Sequence, residues 1–210
     1  MKLLVFGGSG RTGRPVIEQA LAAGHSVVAL VRNPNKLGLT HDRLTLVAGD
    51  VMDAAAVAAA FGAGTDAVIS VLGPVKGSPD DLLPTAVGHI LAGMQRHDIR
   101  RLVYMTGAGV DMPQDQPQFI NHVIKFALKT LSPQVLAQSE RAVRMVQTSD
   151  REWVIVRAPM LTDAPRSEGL KVGWVGVNTG PRLSRADAAA FILQQVNGSE
   201  FVGKAPVISN

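Results

Sequence analysis

The 210-residue sequence contains no cysteine. That excludes disulfide frameworks, thiolate nucleophiles and cysteine-based zinc sites, and it fits a reducing compartment. Aromatic residues are sparse, with two Trp, one Tyr and six Phe, too few for the stacking platforms that grip single-stranded nucleic acid. Charge is low as well: 18% of residues are charged, against about 25% in an average domain. Lys and Arg outnumber Asp and Glu by 21 to 17, but the basic residues are scattered, so no nucleic-acid partner is expected. A mild positive balance of this kind suits attraction of phosphorylated small molecules. No window approaches the ~20 apolar residues of a membrane span, and no membrane partner is expected. The apolar run at residues 3–6 stops at Gly7, too short for a signal peptide, so the chain reads as cytoplasmic.

What is present is an ordinary globular interior: 46% of residues are hydrophobic, with 21 Gly and 12 Pro. Short apolar runs at residues 3–6, 26–31, 44–47, 67–72, 101–106 and 153–156 read as strands. Helical patterns separate them. Residues 14–23 carry Pro15 in the first turn, Val16, Ile17, Ala20 and Leu21 on one face, and Gly24 as a stop. Asp53 caps an alanine-rich helix through Phe61. Residues 82–97 place Leu83, Ala86, Ile90 and Met94 on one stripe, and residues 133–149 turn Leu136, Val143 and Val146 inward. Ser184-Arg185-Ala186-Asp187 reads as a capping box with Asp in place of Glu, opening a last helix through Val196.

Strands alternating with helices imply βαβ units, because parallel neighbours need long crossovers. The strand runs lack polar alternation, as expected when helices cover both faces. The expected fold is therefore α/β: one Rossmann-like domain over residues 1–210, with a doubly wound, mostly parallel sheet. Residues 111–132 and 162–182 break the alternation after the fifth and sixth strands. Ligands bind beyond the carboxyl ends of strands in such sheets, so both insertions are placed to wall a substrate pocket; the plainer alternative is that they are surface loops.

The most specific motif is Gly7-Gly8-Ser9-Gly10-Arg11-Thr12-Gly13, between the first strand and the first helix. Two registers fit: Gly8, Gly10 and Gly13, or Gly7, Gly10 and Gly13. Either supplies a tight turn, a close backbone approach to a pyrophosphate and close helix packing, with free N–H groups and the helix dipole facing the phosphates. NAD-binding folds place a carboxylate about 20 residues further on, to hold the ribose hydroxyls. Here that place is Arg32, followed by Asn33-Pro34 and then Lys36. A guanidinium grips a 2′-phosphate and cannot accept from a hydroxyl, so the cofactor is expected to be NADP(H), with Arg11 as a second contact. Gly49-Asp50-Val51 follows the third strand, where Asp50 suits the adenine amino group and Val51 the face of the ring; Asp50 as a helix cap is the alternative. Leu72-Gly73 ends the fourth strand, and Thr106-Gly107 ends the fifth near the expected nicotinamide.

The glycine loop, Val31-Arg32, Gly49-Asp50-Val51, Val71-Leu72-Gly73 and Val156-Arg157-Ala158-Pro159 resemble the atypical short-chain dehydrogenase/reductases of the NmrA-like group. Within it, the chain is most similar to the biliverdin-IXβ reductase/flavin reductase type. The resemblance implies NADPH and hydride delivery to a flat conjugated acceptor: a flavin, a quinone or a linear tetrapyrrole. It also implies that Pro159 and Met160 border the nicotinamide. The chain departs from the group at two points. Mainstream short-chain dehydrogenases draw a proton from a Tyr/Lys pair four apart, but the single tyrosine, Tyr104, has Ala108 at that spacing and falls inside a strand. The flavin reductase type carries a serine where Gly107 stands.

No catalytic residue is assigned. Thr106, Asn121 and His122 are the remaining polar candidates, with His122 expected to be an ordinary loop or helix-end residue. His25, His41, His89 and His97 have no metal-binding spacing, and no metal is expected. A flavin or quinone needs no dedicated acid, because solvent can protonate the delocalised anion left by hydride transfer. A nucleotide-sensing protein that binds NADP(H) without turnover is the alternative. A monomer or small homo-oligomer is expected.

Overall fold

The computed structural model describes residues 1–167 and 169–210; Glu168, within the second insertion, lies outside the described residues. The chain runs β1 (Lys2–Phe6), α1 (Gly13–Ala22), β2 (Ser26–Val31), β3 (Leu44–Ala48), α2 (Ala54–Ala60), β4 (Ala67–Ser70), α3 (Leu82–Arg96) and β5 (Arg101–Gly107). It continues through α4 (Phe119–Leu131), α5 (Pro133–Gln147), β6 (Glu152–Ala158), β7 (Met160–Thr162), β8 (Lys171–Gly173), β9 (Arg182–Ser184), α6 (Arg185–Gln194) and β10 (Val207–Ser209). The main sheet has the order β3-β2-β1-β4-β5-β6-β10-β8. All its pairings are parallel except β10 with β8. The first six strands have the order of the doubly wound dinucleotide-binding sheet, as expected from the alternating pattern.

Alternate residues of the strands point to opposite faces and build two cores. Leu3 and Val5 pack with Val16, Ile17 and Ala20 of α1 and Ala188, Phe191 and Ile192 of α6. Leu4 and Phe6 pack on the other face with Val57 of α2, Ile90 and Met94 of α3, and Val143 and Val146 of α5. The expected stripe of α3 is buried throughout. Asp53 caps α2 by accepting from the Ala55 amide at 2.8 Å. At α6, Ser184 Oγ accepts from the Asp187 amide at 3.0 Å, but the reciprocal half of the capping box is supplied elsewhere: the Ser184 amide donates to Asn210 Oδ1 at 3.0 Å. Asp187 is too short to reach back, and its carboxylate instead accepts from Ser184 Oγ, Ser167 and Asn210.

The residue 111–132 insertion contains a full helix, α4. The residue 162–182 insertion pairs β7 with β9 and lays β8 against β10. Both are tied to β6 through one residue. Arg157 is fully buried in β6 and donates to Asp115 at 2.7 and 2.8 Å, to the Val110 carbonyl at 3.0 Å and to the Ala205 carbonyl at 2.7 Å. Asp115 also accepts from the amides of Met112 at 2.8 Å and Val175 at 3.1 Å, which brings the first insertion and the loop after β8 together.

Candidate functional site

The carboxyl ends of β1, β4, β5 and β6 lie side by side, and the chain order reverses between β1 and β4. The glycine loop sits at this switch point. Gly7 has φ +84°, and a Cβ there would lie 2.9 Å from the Val71 carbonyl carbon at the exit of β4. At Gly13 a Cβ would fall 2.0 Å from the Gly7 oxygen, so α1 can start this close to the loop only with glycine at its first position. Gly10 is less confined, its nearest clash being the Gly7 oxygen at 3.1 Å, while its own amide donates to that oxygen at 3.0 Å. At Gly8 the first obstacle is the end of the Ile17 side chain, at 2.7 Å. Of the two registers, backbone contact therefore imposes Gly7, Gly10 and Gly13.

Ser9, Gly10 and Arg11 are exposed, whereas Thr12 is buried. Among the described residues, the amides of Arg11, Thr12 and Gly13 donate to no protein acceptor. Thr12 occupies the N-cap of α1 without a side-chain capping bond, and the first turn of α1 holds no acidic residue. Free amides on a helix N-terminus without a carboxylate suit bound phosphate. Arg32, just past β2, is exposed and forms no hydrogen bond or ion pair among the described residues. Arg11 is otherwise engaged: it pairs with Asp163, which also accepts from Arg185 at 2.7 Å. These two guanidiniums hold the Asp163 carboxyl below its usual range.

Asp50 Oδ1 accepts from the Met52 amide at 2.9 Å, closing a turn before α2. Val51, expected to cover an adenine ring, is buried in the core beneath that turn, and its carbonyl lies 2.9 Å from His89 Nδ1. The physical reason is the Asx turn at Asp50, which rolls the next residue inward.

Beside the glycine loop lies a pocket of about 290 Å³. Thr12 contributes from the loop, Leu72, Gly73 and Pro74 from the end of β4, Thr106 and Gly107 from β5, and Ala158 and Pro159 from β6. Ser132, Val135, Leu136 and Ser139 close it from α5 and its approach. Met160, expected at the nicotinamide border, does not line it and is 57% exposed. Of the described residues in the two insertions, Ser132 alone reaches the pocket from 111–132 and none does so from 162–182. Among the described residues, no ionisable side chain lines the pocket. Its polar side chains are the hydroxyls of Thr12, Thr106, Ser132 and Ser139, of which Ser139 is spent on the Val135 carbonyl at 2.7 Å.

Tyr104 is buried inside β5, and burial pushes its phenol well above the ordinary value. His122 is exposed and Asn121 caps the turn into α4 by accepting from the Gln118 amide at 2.8 Å. Among the described residues there is no group of three His, Asp or Glu able to hold a metal ion, and no helix is long and apolar enough to cross a membrane.

A family profile described as NAD(P)H-binding matches residues 7–198. The chain belongs to this NAD(P)H-binding family. It is 37% identical over 95 residues to an isoflavone reductase homolog of Zea mays, a match covering 41% of this chain and 30% of that protein. The oxidoreductase ylbE of Lactococcus lactis shares the fold with a TM-score of 0.83 at 16% identity, over 100% of this chain and 91% of that one. The anaerobilin reductase ChuY of Escherichia coli O157:H7 superposes with a TM-score of 0.79 at 24% identity, over 100% and 97% of the two chains.

For an NAD(P)H-binding protein the loop geometry fits the group: the cradle formed by Gly7 and Gly13 leaves no room for a Cβ, and the amides of Arg11, Thr12 and Gly13 have no partner among the described residues. The residues that sequence reasoning missed are Asp115, Asp163 and Arg185. Asp115 and Asp163 accept from arginines distant in the chain, Arg185 is one of the two partners of Asp163, and nothing local marks any of the three.

Proposed function

We propose that the protein is an NADPH-dependent oxidoreductase of the atypical short-chain dehydrogenase/reductase type, acting on a flat conjugated acceptor such as a flavin, a quinone or a tetrapyrrole. The observation that carries this reading is a pocket against the glycine loop whose lining, among the described residues, holds no ionisable side chain. Ketone and alcohol chemistry calls for a positioned acid or base, and here none lines the site. A conjugated acceptor spreads the charge it receives and takes its proton from solvent.

Residues 7–13 hold the pyrophosphate in this reading, through the amides of the loop and the N-terminus of α1. Arg32 grips the 2′-phosphate, and Asp50 keeps one carboxylate oxygen for the adenine amino group. Leu72, Gly73, Thr106, Gly107 and Pro159 form the wall around the nicotinamide. When bound, NADPH supplies the hydride. The chain orients the two rings and excludes water from their contact, while Thr12 and Thr106 present hydroxyls to a carbonyl oxygen of the acceptor.

The test is NADPH oxidation by the purified protein against a panel of flavins, quinones and tetrapyrroles. Turnover with at least one acceptor is expected. Tight NADPH binding with no turnover on any of them favours a nucleotide sensor.

A further inference from the structure

The surface of α4 carries an apolar stripe that nucleotide binding does not explain. Of the eight large apolar side chains that stand exposed among the described residues, four belong to this one helix: Phe119 at 83%, Val123 at 47%, Phe126 at 72% and Leu131 at 81%. Phe119, Val123 and Phe126 follow the four- and three-residue spacing of a single helix face. Every other aromatic side chain of the protein is buried or half-buried. Single exposed apolar residues are ordinary on any surface, but large ones gathered on one helix face mark a contact surface.

The charge beside the stripe is of one sign. Residues 116–139 contain no Asp or Glu. His122, Lys125 and Lys129 recur at the same helical spacing, in a row that borders the apolar one. Lys125 pairs with Asp111, which lies outside the helix, and the segment supplies no acid for the rest of the row. A second copy of the chain docking through α4 would offer these cations no carboxylate on the facing helix. An apolar stripe bearing Phe, with cations beside it, is the pattern of a helix that lies in the plane of a lipid surface. Its apolar side enters the acyl boundary and its cations meet the headgroup phosphates. No helix among the described residues is long and apolar enough to cross a membrane, and a helix lying flat needs no such length.

We propose that α4 docks the protein on an anionic phospholipid surface, with Phe119, Val123 and Phe126 inserted at the acyl boundary and the basic row against the phosphates. No described residue of α4 lines the pocket, so this docking is independent of the reductase reading.

The test is co-sedimentation of the purified protein with vesicles of phosphatidylcholine alone and of phosphatidylcholine mixed with phosphatidylglycerol. The wild type is expected to bind the mixed vesicles, and to bind the neutral ones about fivefold less or weaker still, the effect of one cation at the surface. Phe126→Ser should weaken binding about tenfold, as one phenyl ring is withdrawn from the apolar layer, and the double variant Phe119→Ser, Phe126→Ser should abolish it. Both variants should keep the wild-type melting temperature and NADPH affinity, because the two side chains are exposed and outside the pocket. No binding to the mixed vesicles, equal binding to the two kinds, or undiminished binding by the double variant overturns the proposal. So does a dimer in lipid-free solution that Phe126→Ser dissociates, because a second copy then covers the stripe.

Discussion

Arg157 and Asp115 face each other through two parallel hydrogen bonds, at 2.7 and 2.8 Å, with the guanidinium fully buried and 7% of the carboxylate side chain exposed. The pair lies two residues upstream of Pro159, at the end of the strand that forms one wall of the pocket. Burial raises the Asp115 carboxyl, but the hydrogen bonds and charge of Arg157 and the amides of Met112 and Val175 outweigh it and leave the group below the usual carboxylate range. The pair fixes both insertions to the sheet, and Arg157 also holds the carbonyl of Val110, which lines the pocket.

Asp115→Ala leaves a charged guanidinium buried without its partner and should cost about 3–5 kcal/mol. Thermal unfolding should show a drop of roughly 10 °C, at ~2–4 °C per kcal/mol for a chain of this size. A shift within error of zero contradicts the assigned role.

Acid should act through the same carboxylate. Its folded-state pKa is lower than its unfolded value of 3.8. Its contribution is therefore complete above the unfolded pKa and is lost as pH falls through the folded value. Denaturant unfolding of the wild type and Asp115→Asn should show a stability gap that is constant near neutral pH and narrows only below the ordinary carboxylate range. A gap that closes between pH 5 and pH 7 points to another group.

The glycine loop offers a graded series. Gly13→Ala places a methyl 2.0 Å from a backbone oxygen that cannot move aside, and Gly7→Ala combines a left-handed φ with a 2.9 Å clash against Val71. Gly10→Ala meets only one contact, at 3.1 Å. Nucleotide affinity, by calorimetry on whatever variants fold, should fall least for Gly10→Ala if the clash dominates. A larger loss there shows that the nucleotide itself needs the space above Gly10.

Gly107 has nothing within 4 Å of the position a Cβ would take. Gly107→Ser should be accommodated with less than about 0.5 kcal/mol change in stability. It adds a hydroxyl to the pocket, so kcat/KM should change differently from one acceptor to another while NADPH affinity holds. Unfolding or loss of NADPH binding shows that Gly107 has less free space than its open surroundings indicate.

Asp163 holds Arg11 beside the glycine loop and adds a negative charge there. Asp163→Asn should tighten NADPH binding severalfold and more than it tightens NADH binding, because Arg11 is released towards the 2′-phosphate. Weaker binding in that variant shows instead that the pair clasps the nucleotide in place.

The sheet was legible because each strand is a short apolar run and each crossover helix has a readable stripe. β10 was not: residues 207–209 form a three-residue strand whose place beside β6 is set by Arg157 and by backbone pairing with distant segments. The glycine loop and Arg32 could be placed from spacing alone, since a strand end fixes where the next side chain stands. Val51 could not, because whether it faces a ligand or the core depends on how the Asp50 carboxylate turns the backbone. The same holds for Arg11, whose reach towards a phosphate competes with a carboxylate 152 positions away. Local chemistry marks turns set by backbone geometry, and it is silent on residues positioned by long-range ion pairs.

Calorimetric titration of the wild type and Arg32→Asp with NADPH and with NADH tests the central claim most directly. A single charged hydrogen bond at about 1.5–3 kcal/mol should make NADPH bind ~10- to 100-fold more tightly than NADH in the wild type. In Arg32→Asp the preference should disappear or reverse, with NADH gaining a partner for its ribose hydroxyls. Equal affinities for the two nucleotides in the wild type, or an unchanged NADPH affinity in the variant, contradict the account.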